Sequence, residues 1–164
     1  MRHLFLVTCV SALLVAPAAA QKPDPQLTAP IQKFMDSFNK GDIAGAAATH
    51  AAGADLTILD EVPPFLWRGP KAFQEWSTAL DSASKQAGIT DQMVTISAPT
   101  RTETSGDSAY VIVPAVYTYK EKGVAMREAA QMTFVLKKSA GGWLIHAWTW
   151  TGPKPQRGAA PAKP

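Results

Sequence analysis

Two stretches of the chain repeat apolar residues at the three- and four-residue spacing of an amphipathic helix, and an alanine-rich stretch lies between them. The first predicts a helix over residues 26–39, closed by Gly41, which suits the left-handed position after a helix. Asp42 can cap a second, alanine-rich helix over residues 42–51. Gly69-Pro70 opens a third helix, which ends at Gly88. The two apolar stripes consist of Leu27, Ile31, Phe34 and Phe38, and of Ala72, Phe73, Trp76, Leu80 and Ala83.

Five further stretches alternate side chains with the period of two that is typical of β-strands. They cover residues 54–61, 91–99, 108–120, 124–138 and 141–151. Glu121-Lys122-Gly123 predicts a hairpin turn, and residues 65–68 are predicted to be a loop. Pro114 cannot donate a backbone hydrogen bond, so we expect it at a bulge or a sheet edge.

The last of these strands carries large side chains on both faces, including three of the five tryptophans. We therefore expect it in the middle of a sheet, where it lines any cavity that the fold encloses. The order of helix, helix, strand, helix and four strands predicts the α+β class, with a curved, mainly antiparallel sheet wrapped around the N-terminal helix. Such a sheet and three helices enclose a conical cavity that is open at one end.

The two ends of the chain differ in composition from the part between them. Residues 1–20 combine an apolar run with small residues before Gln21, as in a secretory signal peptide that is removed on export. We expect a flexible lead-in at 21–25, a folded domain at 26–152 and a disordered, Pro/Ala-rich tail at 153–164. The only cysteine, Cys9, lies in the signal peptide, so the mature chain is predicted to be periplasmic or secreted without disulfides.

Charge and motif content exclude several classes of function. The net charge is only +3 and the basic residues form no cluster, which argues against a nucleic-acid partner. His50 and His146 stand on different elements without nearby acidic residues, so we predict no metal site. The sequence has no phosphate-binding glycine loop and no serine elbow, and we expect no cofactor. The apolar run at the N-terminus is too short for a membrane span, and the mature chain contains no other candidate.

Several short motifs, taken together, resemble the NTF2-like superfamily over residues 26–152, in particular its SnoaL-like and ketosteroid-isomerase-like branches and a DUF4440-type domain. The motifs are Phe38-Asn39-Lys40-Gly41-Asp42, the strand that ends at Asp60, Arg68-Gly69-Pro70-Lys71-Ala72-Phe73, and Gly142-Trp143-Leu144-Ile145. The resemblance implies a cone-shaped fold. It does not by itself imply one activity, because function depends on the site.

The resemblance also implies a role for Asp60. In ketosteroid isomerases the catalytic base is an aspartate at the end of the first strand, and Asp60 stands at the matching distance from Gly69. Burial against an apolar cavity would raise the pKa of such a carboxyl toward working pH. The alternative is a solvated residue at the end of a strand.

The rest of the isomerase machinery departs from the family's pattern. Phe34 occupies the place of the catalytic tyrosine and has no hydroxyl, and the place of the second acid falls near Ala130 or Gln131. Gln131 and Tyr117 are the candidate substitute donors. In addition, either Arg127 or Glu128 should point inward from its strand, since the two alternate.

The remaining candidates concern ligand and partner binding. We predict an apolar pocket with Phe34, Trp67, Trp76, Ala147 and Thr149 as ligand-binding residues. The other phase of the last strand would then place His146, Trp148 and Trp150 on the outer sheet face, as a homodimer interface. A pocket position for His146 is the alternative.

Three functions therefore remain open. The first is an exported domain that binds a small apolar ligand in a conical pocket without a defined reaction. The second is a cofactor-independent enzyme of the SnoaL or ketosteroid-isomerase kind, with Asp60 as general base. The third is an accessory domain that uses the aromatic sheet face as its contact. A buried Asp60 that faces an open cavity would favour catalysis, whereas a solvated Asp60 would favour binding.

Overall fold

A computed structural model describes residues 24–158 of the chain. It contains three helices, α1 (Pro25–Asn39), α2 (Ile43–Ala47) and α3 (Ala72–Ala87). Its strands are β1 (Thr57–Leu59), β2 (Leu66–Arg68), β3 (Ile89–Ile96), β4 (Arg101–Ser105), β5 (Ser108–Glu121), β6 (Val124–Ser139), β7 (Gly142–Thr151) and β8 (Gln156–Arg157).

Helix α1 ends where its sequence predicts and begins one residue earlier, at Pro25, within the predicted flexible lead-in. The Asp24 side chain accepts a hydrogen bond of 2.9 Å from the Gln26 N–H, and Pro25 occupies the first turn, where its missing N–H has no cost. The helix ends at Asn39, and Gly41 follows with φ +69°. Its buried face consists mainly of Leu27, Ile31, Phe34 and Met35.

Helix α2 is shorter than the predicted 42–51, although Asp42 does cap it by accepting a 2.9 Å hydrogen bond from Gly45 N–H. The chain leaves the helix after Ala48 because its backbone pairs with the sheet instead. Ile145 N–H donates to Thr49 O at 3.0 Å, and Ala51 N–H donates to Ile145 O at 2.9 Å. A contact distant in sequence thus ends this helix.

Helix α3 packs its apolar stripe against the sheet as predicted, with Phe73 and Trp76 buried. Its first residue is Ala72, two positions after Pro70. Gly88 ends the helix in the left-handed conformation, with φ +71°. A residue with a Cβ would be strained there, so this position favours glycine, and Gly88 marks the end of the helix in the sequence.

The strands form one curved sheet in the order β2-β1-β7-β6-β5-β3, with β4 paired to β5 and β8 paired to β6. All pairings are antiparallel except that of β1 with β7. The sheet packs against α1 and α3, and this confirms the predicted α+β class with a mainly antiparallel sheet. The core between the layers includes Phe34, Ile58, Phe134 and Ile145, each no more than 1% exposed.

Three strand predictions need correction. The first strand covers only Thr57–Leu59 instead of residues 54–61, and the predicted loop at 65–68 pairs with it as β2. Strand β4 was not predicted, because its polar sequence shows no alternation of apolar residues. Of the two alternatives for Pro114, a bulge or a sheet edge, the bulge is not found, since β5 and β6 stay in register on both sides of it. On its other side the partner of β5 changes from β3 to β4 near this point, so the missing N–H interrupts no ladder.

The ends of the chain bear on three further predictions. Within the predicted disordered tail, Gln156 and Arg157 form β8 against Met126 and Arg127, which corrects that part of the prediction. The predicted signal peptide and residues 159–164 lie outside the described residues. Among residues 24–158, no helix has both the length and the apolar character needed to cross a bilayer.

Candidate functional site

A cavity of about 330 Å³ lies between α1, α3 and the inner face of the sheet. It is lined mainly by apolar and aromatic side chains. The lining residues are Phe34, Met35, Phe38, Asp60, Glu61, Val62, Pro63, Trp76, Leu80, Ala83, Ser84, Ala87, Ile89, Val94, Tyr117, Tyr119, Met132, Trp148 and Trp150. Its size is at the lower end of the range typical of small-molecule sites.

Aromatic rings contact one another along the cavity wall. Phe34 on α1 lies 5.7 Å from Trp148 on β7, between ring centroids, and Trp76 on α3 lies 4.9 Å from Trp148 in an edge-to-face arrangement. Trp150 in turn lies 6.2 Å from Tyr117 on β5. These separations are those of favourable aromatic pairs. The helices and the sheet therefore hold the wall together through contacts that also give it a fixed shape.

Each of the three inward indoles donates its N–H to a polar side chain. Trp76 Nε1 donates to Asp60 Oδ2 at 2.5 Å, and Trp150 Nε1 donates to Glu128 Oε1 at 2.6 Å. Trp148 Nε1 donates to His50 Nε2 at 3.1 Å. Since a buried indole N–H needs an acceptor, the aromatic wall and its polar residues depend on one another.

Asp60 follows directly after β1 and reaches the cavity wall. Its Oδ1 accepts the Glu61 backbone N–H at 2.7 Å, while Oδ2 accepts the Trp76 indole. Burial raises the pKa of Asp60, the two hydrogen bonds oppose this rise, and the nearby Glu128 carboxylate adds to it. A carboxylate with a raised pKa beside an apolar cavity can act as a proton acceptor.

Glu128 lies on β6 and is only 1% exposed, although it is not part of the cavity lining. Its Oε2 has no hydrogen-bond partner in the described part of the chain. Gly152 passes so close to this carboxyl that a Cβ at that position would overlap it. The backbone at Gly152 therefore packs directly against a buried carboxyl group, one oxygen of which lacks a hydrogen-bond donor.

Glu61 lines the cavity and connects Glu128 with Asp60. Glu61 is an exposed residue, but its partial burial at the cavity raises its pKa to about 7, and a hydrogen bond with the Glu128 carboxyl and the charges of Glu128 and Asp60 add to this rise. The hydrogen bond raises this pKa because Glu61 donates it when protonated. The proton of Glu61 would therefore supply the donor that Glu128 Oε2 lacks.

Two tyrosines on β5 border the same end of the cavity. The Tyr117 hydroxyl donates to Gln92 Oε1, and its ring centroid lies 4.7 Å from that of Tyr119. Burial raises the pKa of Tyr117 above its ordinary value, and the charges of Tyr119 and the three acids raise it further. Tyr117 therefore remains a neutral hydroxyl at all physiological pH values.

The site has no positively charged partner in the described residues. The ion pairs found between residues 24 and 158 are Lys85–Asp81, Arg101–Glu103 and Lys120–Asp91, all on exposed side chains. No group of three His, Cys, Asp or Glu side chains in the same range could hold a metal ion. The chemistry available from the described residues is therefore that of carboxyl and hydroxyl groups beside aromatic rings.

His50 is buried against Phe34 and Phe73, with ring centroids 4.7 and 4.6 Å away. Burial lowers its pKa to about 4, and a hydrogen bond with Ala46 O opposes this shift. Since Nε2 accepts the Trp148 indole, the proton lies on Nδ1, which lies 3.0 Å from Ala46 O. His50 is therefore neutral at pH 7 and supports the wall from behind.

The structure brings four of the predicted site residues to the cavity: Phe34, Asp60, Trp76 and Tyr117. Trp67 was predicted to bind the ligand, but it is 5% exposed within the core and does not line the cavity. Ala147 and Thr149 do not line it either. Gln131 is exposed on β6, away from the cavity, so it cannot serve as the predicted donor.

Trp148 and Trp150 face the cavity and not the outer sheet face on which they were predicted. The reason is a bulge in β7. Val135 pairs with Ala147, whereas Leu136 pairs with Ile145, so His146 is an extra residue without a partner in β6. The bulge reverses the alternation, and residues beyond it point to the face opposite to the one predicted.

His146 itself is half-buried at this bulge and lies outside the cavity lining. Its Nδ1 has no hydrogen-bond partner in the residues that the structure describes. Burial lowers its pKa, the charge of Lys137 lowers it further, and that of Asp55 opposes the shift. Because His146 does not line the cavity, the alternative pocket position for it is wrong.

Glu61, Glu128 and His50 belong to the site or its support but were not assigned roles from the sequence. The sequence did contain a pattern which indicates that Glu128 points inward. Met132, Phe134 and Leu136 form an apolar alternation on β6 that, continued backward, reaches Glu128 and not Arg127 or Gln131. For His50 no local pattern exists, because its acceptor role depends on Trp148, which is 98 residues away.

Comparison with known proteins supports the fold. No family model matches the sequence, and no curated protein matches it. Solved structures do match. A ketosteroid isomerase-like protein from Erwinia carotovora atroseptica SCRI1043 is 24% identical with a TM-score of 0.61, over 81% of this chain and 99% of that one.

Two further structures match with similar coverage. An NTF2-like superfamily protein from Salmonella enterica serovar Typhimurium LT2 is 15% identical with a TM-score of 0.64, over 84% of this chain and 95% of that one. A hexachlorocyclohexane dehydrochlorinase (LinA) type 2 is 16% identical with a TM-score of 0.62 and the same coverage, 84% and 95%. Identities this low establish architecture and not activity. By its α+β layers, its curved sheet and these matches, the chain has the fold of the NTF2-like superfamily.

Proposed function

We propose that this protein binds a small, apolar, ring-bearing molecule in the cavity between α1, α3 and the sheet. The observation that supports this most strongly is the aromatic wall, in which Trp76, Trp148 and Trp150 are each fixed by a hydrogen bond. Fixed rings lose little entropy when a ligand packs on them, so the cavity is preorganised for binding. Structural relatives that are named as enzymes show that this fold can accommodate small molecules.

A cavity-filling substitution tests this proposal. Ala83 on α3 lines the cavity, whereas its neighbour Ser82 is exposed. We expect Ala83→Phe to weaken binding of the neutral fluorescent probe N-phenyl-1-naphthylamine by at least about tenfold, since the new ring occupies the ligand's space. Ser82→Phe adds the same ring on the surface and should leave binding unchanged. Equal binding by wild type and Ala83→Phe would show that the probe lies elsewhere.

A second candidate function is cofactor-independent proton transfer, with Asp60 as general base. It is favoured by the position of Asp60 on the cavity wall and by the rise in its pKa through burial. A base in this setting could remove a proton from carbon next to a carbonyl group. The missing tyrosine at Phe34 leaves the developing negative charge without the donor found in ketosteroid isomerases. Glu61, whose pKa is about 7, supplies a donor when it is protonated.

Exchange of carbon-bound hydrogen with solvent tests this second function. With 2-tetralone in D2O, NMR would follow the loss of the α-proton signal. Wild type should accelerate the exchange over buffer, and Asp60→Asn should lose about 10²- to 10⁴-fold of that acceleration, the usual contribution of a general base. If wild type binds the ketone but does not accelerate the exchange, the protein binds its ligand without catalysing proton transfer.

We further propose export to the periplasm or medium, and self-association through the outer face of the sheet. Export is supported by the composition of residues 1–20. A dimer is supported by partly exposed apolar side chains on that face, among them Ile112, Val116 and Val135. Trp148 and Trp150 do not contribute to this face, which weakens the case for an accessory domain that docks through aromatic residues.

Two measurements test these proposals. Sequencing of the mature N-terminus from a cell fractionation should find Gln21 in the exported fraction, and an intact Met1 start would contradict export. Light scattering after gel filtration should give twice the monomer mass for wild type and the monomer mass for Val135→Lys. Thr104→Lys, on the short strand β4, is the control for an added charge on an exposed strand residue.

A further inference from the structure

Two carboxyl groups line one end of the cavity and a third lies behind them, without a compensating cation in the described residues. Asp60 and Glu61 line the wall, and Glu128 lies against Glu61. No lysine or arginine between residues 24 and 158 forms an ion pair with any of them. Like charges in one partly desolvated site repel, so an opposite charge supplied by a ligand would be stabilised there.

The Glu128 carboxyl gives an independent indication of a missing partner. It is 1% exposed, it is held at Oε1 by the Trp150 indole, and its Oε2 has no partner among the described residues. An unsatisfied buried acceptor costs roughly 1–3 kcal/mol, and more when the group is charged. A proton on Glu61 would remove this cost, whereas a positive charge beside Glu61 would offset the repulsion between the carboxylates.

The aromatic rings beside the acids are also those that a cation would contact. Trp76 and Trp150 donate their N–H groups to Asp60 and Glu128, so both indoles lie directly beside carboxylates. Tyr117 lies 6.2 Å from Trp150, between ring centroids, and borders the same end. Aromatic faces together with carboxylates are the usual recognition site for ammonium groups.

We propose that the ligand of this cavity carries a positively charged nitrogen, as a protonated amine or a quaternary ammonium group. The nitrogen lies beside Asp60 and Glu61 and against the rings of Trp150 and Tyr117. The apolar body of the ligand extends toward Phe34 and Trp148. This inference rests on the proposed binding function and specifies the chemical class of the ligand.

A pair of isosteric probes tests the proposal. Benzyltrimethylammonium and neopentylbenzene have the same shape and differ in the charge at one atom. We expect the cation to bind at least about tenfold more tightly to wild type, measured by displacement of N-phenyl-1-naphthylamine. Glu61→Gln should reduce this preference by on the order of tenfold, the size expected for a partly desolvated ion pair, and leave neopentylbenzene binding unchanged.

The control variant is Glu75→Gln, which removes an acid from the exposed side of α3 without touching the cavity. Asp60→Asn serves as a second cavity variant and should also weaken binding of the cation selectively. Melting curves establish that each variant is folded.

The charge of the quaternary ammonium probe does not change with pH. Its affinity should therefore rise between pH 6 and pH 8 as Glu61 ionises among Asp60, Glu128, Tyr117 and Tyr119. Equal affinity for the two isosteres, with no effect of Glu61→Gln, would overturn the cation proposal while the apolar binding site stood. Failure of wild type to bind either isostere or the fluorescent probe would overturn the binding function as well.

Discussion

Trp150 illustrates how much of the site depends on single hydrogen bonds. Its indole donates to Oε1 of the Glu128 carboxylate, whose Oε2 has no partner among residues 24–158. Phenylalanine would keep most of the ring contact with Tyr117 but would leave Glu128 Oε1 without its donor. The cost falls on Glu128, since a buried charged acceptor without a donor loses its solvation.

We therefore expect Trp150→Phe to lower the free energy of unfolding by on the order of 2 kcal/mol. Urea unfolding followed by circular dichroism measures this loss. Trp143→Phe is the matched control, because Trp143 is also partly buried on β7 but no hydrogen bond of its indole is found in the described residues. Similar losses for the two variants would show that ring volume, and not the hydrogen bond, carries the effect.

His50 predicts a pH dependence of stability whose sign follows from its environment. In the unfolded chain it takes up a proton near pH 6.5, but in the folded protein it does so only near pH 4. Between these values the unfolded state binds more protons, so the folded state loses stability as the pH falls. The full effect is on the order of 3 kcal/mol for a shift of this size in a buried group.

His50→Gln should remove this dependence, because the amide oxygen can accept the Trp148 indole without titrating. We expect the wild-type and variant stabilities, measured by urea unfolding, to converge as the pH falls from 7 to 4. Parallel pH profiles for the two proteins would mean that His50 is not the group responsible.

At the scale of elements, Asn39 joins α1 to the open edge of the sheet. It is the last residue of α1, and its side chain pairs with the backbone of Val94 on the edge strand β3. Nδ2 donates to Val94 O and Oδ1 accepts from Val94 N–H, both at 2.8 Å. One amide thus occupies edge groups that a further strand would otherwise pair, and it fixes the end of the helix to the edge strand.

Asn39→Ala should lower the free energy of unfolding by about 2 kcal/mol, since two partly buried backbone groups lose their partner. Asn39→Asp keeps the acceptor for Val94 N–H but loses the donor to Val94 O. We therefore expect this variant, too, to have a lower free energy of unfolding than wild type. Gln32→Ala, on the exposed face of α1, is the control and should change stability by no more than about 0.5 kcal/mol. A loss for Asn39→Ala as small as for this control would contradict the role of the pair.

For the whole molecule, the long hairpin of β5 and β6 and the strand β7 form the continuous part of the sheet, and the shorter strands are added at its sides. Strand β8 pairs only Gln156 and Arg157 with β6, and Gly158 N–H adds one hydrogen bond of 2.9 Å to Ala125 O. No residue of β8 lines the cavity. The cavity should therefore not depend on this strand.

A chain truncated after Pro153 tests that independence. We expect its melting temperature to change by no more than a few degrees and its affinity for N-phenyl-1-naphthylamine to stay unchanged. Amide exchange at residues 125–127 should become faster, because their partner strand is removed. A loss of probe binding in the truncated chain would show that the tail supports the cavity.

Local patterns in the sequence were sufficient to predict the main elements. The stripes of α1 and α3 recur within a few residues, and each helix is followed by a glycine with positive φ, Gly41 and Gly88. The β5–β6 hairpin is determined by a two-residue turn in which Lys122 and Gly123 both have positive φ, 49° and 82°. These signals are local, so the fold class could be predicted, whereas the place of Asp60 at the cavity was implied by the family resemblance and stood beside the alternative of a solvated residue.

Only the tertiary structure decided which side chains meet in the site. The bulge at His146 arises from pairing with β6, and it turned Trp148 and Trp150 inward against a strict period of two. The short strands β2, β4 and β8 depend on neighbouring strands, since their own sequences carry little alternation. The hydrogen bonds of Trp148 to His50 and of Trp150 to Glu128 join residues 98 and 22 positions apart. A periodicity describes one segment, whereas a buried polar group is specified by the partner that another segment brings to it.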